Sequence, residues 1–242
     1  MPLALSSSIK AGGKKPMMEQ RVRVQPMKTK EKIVYASLEL FNDQGERNVT
    51  TNHIAAHLNI SPGNLYYHFR NKADIIYEIF LQYENLVDTY LKLPENRDLT
   101  VSDMVFYLEA VFNGFWGYRF FHRDLEYLMD CDPRLRQGYR KFTLRCLDAT
   151  SQIFHRLQAS GVLMPMSKET VETMSLNVWL VVTNWMAFLK TAHAGEDNSA
   201  ITLTMLKHGI YQVVTLEMPY ITEPFREEVE RICKKYRPDS FF

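Results

Sequence analysis

The residues with the clearest chemical meaning stand close together, between positions 48 and 72 of a 242-residue chain. Asn52, Asn64, Tyr66, Tyr67 and His68 are polar or amphipathic, and their spacing suits the outer faces of two short helices. Asn can pair two-fold with the edge of an adenine, and Tyr and His can donate to phosphate oxygens. Arg70 and Lys72 add the cations that neutralise phosphate. This is the chemistry of reading double-stranded DNA. Catalysis finds no support: the sequence has no phosphate-binding glycine loop, no Gly-x-Ser-x-Gly elbow and no nucleophile and base at a recognisable spacing. No cofactor is expected.

Those side chains need a helix-turn-helix to present them. Thr50 or Thr51 can cap a first helix through Ile54, Ala55 and Leu58, and Asn59 tolerates the left-handed backbone that ends it. Ile60 then enters the core. Ser61 is a good N-cap and Pro62 a good first helical residue, because its missing donor would be unpaired there anyway. Gly63 costs a helix about 1 kcal/mol against Ala, which a close approach to another surface would explain. Leu65 and Phe69, four apart, face inward, and Asn71 with Asp74 opens the next helix.

The stretch resembles the DNA-binding domain of TetR-type repressors. The resemblance rests on Ile33, Ala36, Leu40, Phe41, Gly45, Thr50, Thr51, Ile54, Ala55, Leu58, Ile60, Ser61, Gly63, Leu65, the run Tyr66-Tyr67-His68-Phe69, Lys72 and Asp74. It implies that Thr51, Asn52, Tyr67, His68 and Lys72 serve phosphates, and that Pro62, Gly63, Asn64 and Tyr66 lie nearer the bases, with Ser61 at the same helix start. Many relatives carry Lys or Arg where Asn52 and Asn64 stand, so a relative's operator does not transfer. A shorter likeness, in residues 40–49 and Gly117 to Leu125, is to a TetR subgroup that includes the regulator of polyhydroxyalkanoate-granule genes. It implies an apolar, acyl-type effector.

Length and composition set the frame: one small and one larger domain, 46% hydrophobic and 24% charged residues, and a net charge of only +1. DNA affinity must then come from locally concentrated charge. Residues 1–27 read as a disordered basic arm, and positions 1–35 hold eight Lys or Arg against two Glu. The arm is either a phosphate grip or an inert tail. Cys131, Cys146 and Cys233 are too far apart for a disulfide framework or a zinc cluster, and no signal-peptide core or membrane span is expected, which points to the cytoplasm.

The rest should be all-α. Residues 28–72 form the DNA-binding domain, residues 73–237 a helical ligand-binding and dimerisation domain, and residues 238–242 a tail. The first helix spans about Thr29 to Gln44 and stops at Gly45, and the helix after Asn71 is a rod to about Leu91. From Thr100 one helix carries eight aromatic residues within positions 106–121, more than one face can hold. Such density suits either a dry core or a cavity for a small apolar molecule, with Phe112, Phe115, Trp116, Phe120, Trp179 and Trp185 as candidate lining.

Further helices run to Ala159, from Ser167 to Leu189, from about Ser199 to Leu216 and from Thr222 to Arg237. Those beginning at Ser167 and Ser199 look too apolar for one chain to cover, so they should pair with their copies in a homodimer. His53 and His57 are four apart but lack a third ligand, so no metal site is expected. Asp124, Asp130, Asp132, His122, Arg119 and Arg123 could orient a ligand's polar head or form ordinary ion pairs. The reading is a homodimeric regulator on a pseudo-palindromic operator, released by a small apolar effector. The alternative is a DNA-bound scaffold whose C-terminal domain binds a protein.

Overall fold

The computed structural model describes residues 27–193 and 201–239, and its regular elements there are helices. α1 is Thr29–Gln44, α2 Thr51–His57, α3 Pro62–His68 and α4 Lys72–Tyr90. α5 is Val101–Gly117, α6 Arg119–Arg123, α7 Leu125–Cys131 and α8 Pro133–Ala159. α9 is Lys168–Ala192, α10 Leu203–Glu217 and α11 Glu223–Tyr236. Among the described residues β pairing is limited to one isolated antiparallel bridge between Leu163 and Ile221. The all-α expectation is met. The basic arm expected over residues 1–27 and the helix start expected at Ser199 fall almost wholly outside the described residues.

Local chemistry explains most helix ends. α1 stops where Gly45 takes φ 86° and its amide donates to the Phe41 carbonyl at 3.1 Å. The Thr50 hydroxyl accepts the His53 amide at 3.2 Å to open α2. Asn59, at φ 54°, turns the chain out of that helix. The Ser61 and Asn71 side chains cap α3 and α4 through the amides of Asn64 and Asp74, at 3.2 and 2.9 Å. α5 opens on a full capping box: Thr100 and Asp103 exchange side-chain-to-amide bonds of 3.3 and 2.9 Å.

Two apolar cores share the described residues. The first joins α1 to α4 with Phe120, Phe121, Leu128, Leu135, Tyr139 and Phe142 from α6, α7 and α8. The second gathers α5, the later half of α8, and α9, α10 and α11. The aromatic run that was expected as one helix is divided between them. The chain breaks at Tyr118, which leaves Phe112 and Phe115 in the second core and turns Phe120 and Phe121 into the first. The break relieves the crowding: α5 and the short α6 bury on two sides aromatic residues that one continuous helix would have had to expose. The stretch from Leu125 to Cys131 is likewise helical.

α6 also straps the two halves together. Asn42 donates to the Gly117 carbonyl at 2.7 Å and accepts the Phe120 amide at 3.0 Å. Arg123 donates to the Phe41 carbonyl at 3.0 Å, and Arg119 pairs with Asp43 at 2.7 Å. The C-terminal end of α1 is thus held by the same short helix that packs below α5.

Candidate DNA-reading surface and effector cavity

α2 and α3 meet through buried Ile54, Ala55 and Leu65, which leaves their other faces open. Asn52, Ser61, Pro62, Gly63, Asn64, Tyr66 and Tyr67 are exposed, Tyr67 by 84%. Thr51 and His68 are half-buried. The Thr51 hydroxyl and the Tyr66 hydroxyl lie 2.9 Å apart, so the start of α2 and the outer face of α3 form one hydrogen-bonded surface. The Tyr67 and His68 rings touch edge to face at 5.1 Å. With Pro62 and Gly63 at the front of α3, little side-chain bulk stands between that helix end and an approaching surface.

Lys72 is placed elsewhere than expected. Its ammonium donates to the carbonyls of Glu46 and Val49 at 2.9 and 3.0 Å and pairs with the Glu46 carboxylate at 2.7 Å. All three of its donors are therefore spent inside the protein. Lys72 ties the start of α4 to the short 3-10 turn, Glu46–Asn48, that leads into α2. It frames the reading helices, whereas Arg70, two residues earlier, is exposed. His53 is also engaged, its Nδ1 accepting the Thr50 amide at 3.4 Å. Among the described residues no group of three His, Cys, Asp or Glu is arranged to hold a metal.

A cavity of about 80 Å³ lies between α4, α5, α8 and α9. Its walls include Tyr83, Val87, Tyr107, Leu108, Phe115, Phe142, Phe154, Trp179 and Val182, and they close over one carboxyl, Glu217, the last residue of α10. Glu217 is only 4% exposed, and its Oε2 has no hydrogen-bond partner among the described residues. Burial pushes its pKa up to about 8. At one end of the cavity the Tyr83 hydroxyl lies 3.0 Å from His122 Nε2, and the His122 ring stacks on Phe115 at 3.6 Å. Burial lowers the His122 pKa to about 3, so this ring is neutral.

The family model described as "Bacterial regulatory proteins, tetR family" matches residues 33–79, and "Bacterial transcriptional repressor" matches residues 82–229. The chain belongs to the TetR family. A TetR-family transcriptional regulator from Marinobacter aquaeolei VT8 has a crystal structure 65% identical to this chain, with a TM-score of 0.81 over 88% of this chain and all of that one. Salmonella enterica GusR shares the fold, at 18% identity and a TM-score of 0.55 over 81% of this chain and 98% of that one.

The protein named "Probable acrEF/envCD operon repressor" of Escherichia coli K12 is 30% identical over 69 residues, 28% of this chain. The match spans about a third of that relative's length, 31%. This TetR-family protein is thus a DNA-binding transcriptional regulator, and no helix among its described residues is long and apolar enough to cross a membrane.

Within the TetR-family chain, the aromatic residues expected to line a ligand site part company. Phe115 and Trp179 face the cavity. Phe112 is fully buried against α10, where a Cβ on Gly209 would lie 2.5 Å from its ring. Trp116 lies under the Arg119 guanidinium at 4.8 Å. Phe120 packs on Phe41 with centroids 5.2 Å apart, and Trp185 donates to the Met205 carbonyl at 3.2 Å beside Phe188. None of these four lines this cavity; Trp185 lines a separate small pocket with Phe188 and Met205.

The arginines and aspartates weighed beside them are ion-paired: Arg119 with Asp43, Arg123 with Asp124, Arg134 with Asp132, and Arg136 with Asp130. Glu217 was missed. Its signal was present, since it extends the buried stripe Leu206, Ile210, Val213 and Val214 by one more helical turn.

Proposed function

We propose that this TetR-family regulator binds a pseudo-palindromic operator as a homodimer and represses until a small apolar molecule occupies the cavity. The exposed surface of Asn52, Asn64, Tyr66 and Tyr67 around the start of α3 carries the reading. Asn64 and Tyr66 would meet base edges, while Thr51, Asn52, Tyr67 and His68 would meet phosphates, with Arg70 in place of Lys72 as the cation. Ser61, Pro62 and Gly63 bring the helix end close. Two such surfaces must be held one helical turn of DNA apart, so a dimer is needed.

Its face is supported by α9, where Leu176 and Leu180 are 46% and 49% exposed and Phe188 continues the stripe. Most of the apolar residues that were expected to need a partner, Val171, Met174, Val178, Val182, Met186 and Leu189 among them, are instead buried within the one chain. The uncovered set is smaller and sits on the other side of the helix. Sedimentation showing a monomer at micromolar concentration would remove the dimer reading.

Release follows from shared walls. Tyr83 and Val87 belong to α4, which runs directly out of the DNA-binding domain, and Phe115 stacks on the ring of His122 in α6. A ligand larger than the present space must displace those side chains. The displacement reaches α4 and the α6 strap on α1, and the operator affinity of the occupied state falls. A concave, largely apolar pocket lined by aromatic side chains also favours a small-molecule effector over a protein partner.

The test is selection of genomic fragments by the purified protein at fixed, near-physiological salt. Enrichment of a two-fold-symmetric site is expected. Only sequence-blind, salt-sensitive binding would overturn the operator reading.

A further inference from the structure

Glu217 is an unusual group to find in this cavity. It is buried, it ends α10, where the carbonyl end of the helix disfavours negative charge, and its Oε2 lacks a partner among the described residues. A buried acceptor left unsatisfied destabilises the empty protein, so a role in the filled one would explain it. The lining holds no Lys, Arg or His to meet an anion. It does hold aromatic faces, from Tyr83, Tyr107, Phe115, Phe142, Phe154 and Trp179, which attract cations.

We propose that the effector is a lipophilic amine, bound with its ammonium group against the Glu217 carboxylate and its apolar part among the aromatic walls. The inference rests on the cavity being the effector site, and it replaces the acyl-type effector implied by the subgroup resemblance. An acid would bring a second carboxyl beside Glu217 with no cation to hold either. The ammonium supplies the missing hydrogen-bond donor and the counter-charge at once. On binding, a protonated Glu217 gives its proton to solvent, and no bond of the ligand is made or broken.

The experiment is calorimetric titration of the full-length protein with octylamine, octanol and octanoate, alongside operator binding measured by fluorescence anisotropy with each compound. Octylamine should bind most tightly, release operator, and lose about tenfold or more in affinity in Glu217→Gln. Wild-type titrations near neutral pH, in buffers of different ionisation enthalpy, should show proton release with octylamine and none with octanol. This second readout needs no variant.

Equal binding of octylamine and octanol, unaffected by Glu217→Gln and without proton release, would overturn the amine while leaving an apolar effector site. Preference for octanoate would overturn it in favour of an acid. Glu217-dependent octylamine binding that leaves operator affinity unchanged would keep the amine assignment and sink the release mechanism. Absence of binding by all three would count against both.

Discussion

Glu46 and Glu217 are both buried carboxylates, 2% and 4% exposed, and each has one oxygen without a hydrogen-bond partner among the described residues. They differ in their company. Glu46 has the Lys72 ammonium at 2.7 Å, and that ammonium also holds two backbone carbonyls. Glu217 has apolar and aromatic neighbours. One buried carboxyl group is paired and fixes the turn that leads into α2. The other is held at a cost in the cavity, where a ligand could relieve it. The same residue type serves rigidity in one half of the molecule and receptivity in the other.

Breaking the paired site should give the largest effect. Lys72→Met leaves Glu46 buried without its cation and should cost about 3–5 kcal/mol in urea unfolding. The operator complex should weaken with it, because the turn before α2 loses its tie. An unchanged midpoint would mean that the pair contributes nothing to the frame.

The unpaired site should respond in the opposite direction. Glu217→Met removes an unsatisfied buried acceptor and should stabilise the protein by about 1–3 kcal/mol at mildly alkaline pH. Between the ordinary carboxylate value of the unfolded chain and about 8, the folded protein keeps a proton that the unfolded chain has lost. Stability from this group is therefore complete at acidic pH and falls as pH rises through that window. The other titratable groups of the lining, Tyr83, Tyr107 and Cys146, are all raised, Cys146 to about 12, and stay protonated there. Thermal unfolding across pH should show a slope that Glu217→Gln flattens, and an identical slope in both proteins would refute the assignment.

The DNA-reading face should yield smaller and more selective changes. Asn64→Ala should lower discrimination at one base position by about 1–3 kcal/mol, measured with single-base operator variants. Arg70→Ala should weaken specific and random DNA alike and reduce the salt slope by about one unit. An effect of Asn64→Ala shared equally by random DNA would show that its contact is to the backbone.

Local chemistry was legible in the sequence because helix caps act over three or four residues. Thr50, Ser61, Asn71 and Thr100 stand at the observed starts, and Gly45 and Asn59 at the observed left-handed stops. The exposed tyrosines of α3 were equally readable, since Leu65 and Phe69 leave them only the outer face. Position along the chain could not reveal that Lys72 turns inward. That depends on Glu46 and Val49, more than twenty residues earlier, meeting it across the fold. Nor could aromatic density tell a cavity wall from a helix contact, because the outcome for Phe112 and Trp185 turns on how closely α10 approaches through Gly209.

The sequence by itself determined the helices, their caps and the outward face of α3, for these follow from short-range spacing and backbone chemistry. Only the tertiary structure decided where aromatic residues line a cavity and which buried carboxyl group finds a partner. Both depend on helices far apart in sequence closing on one another, and packing fixes the distances that set desolvation and pairing.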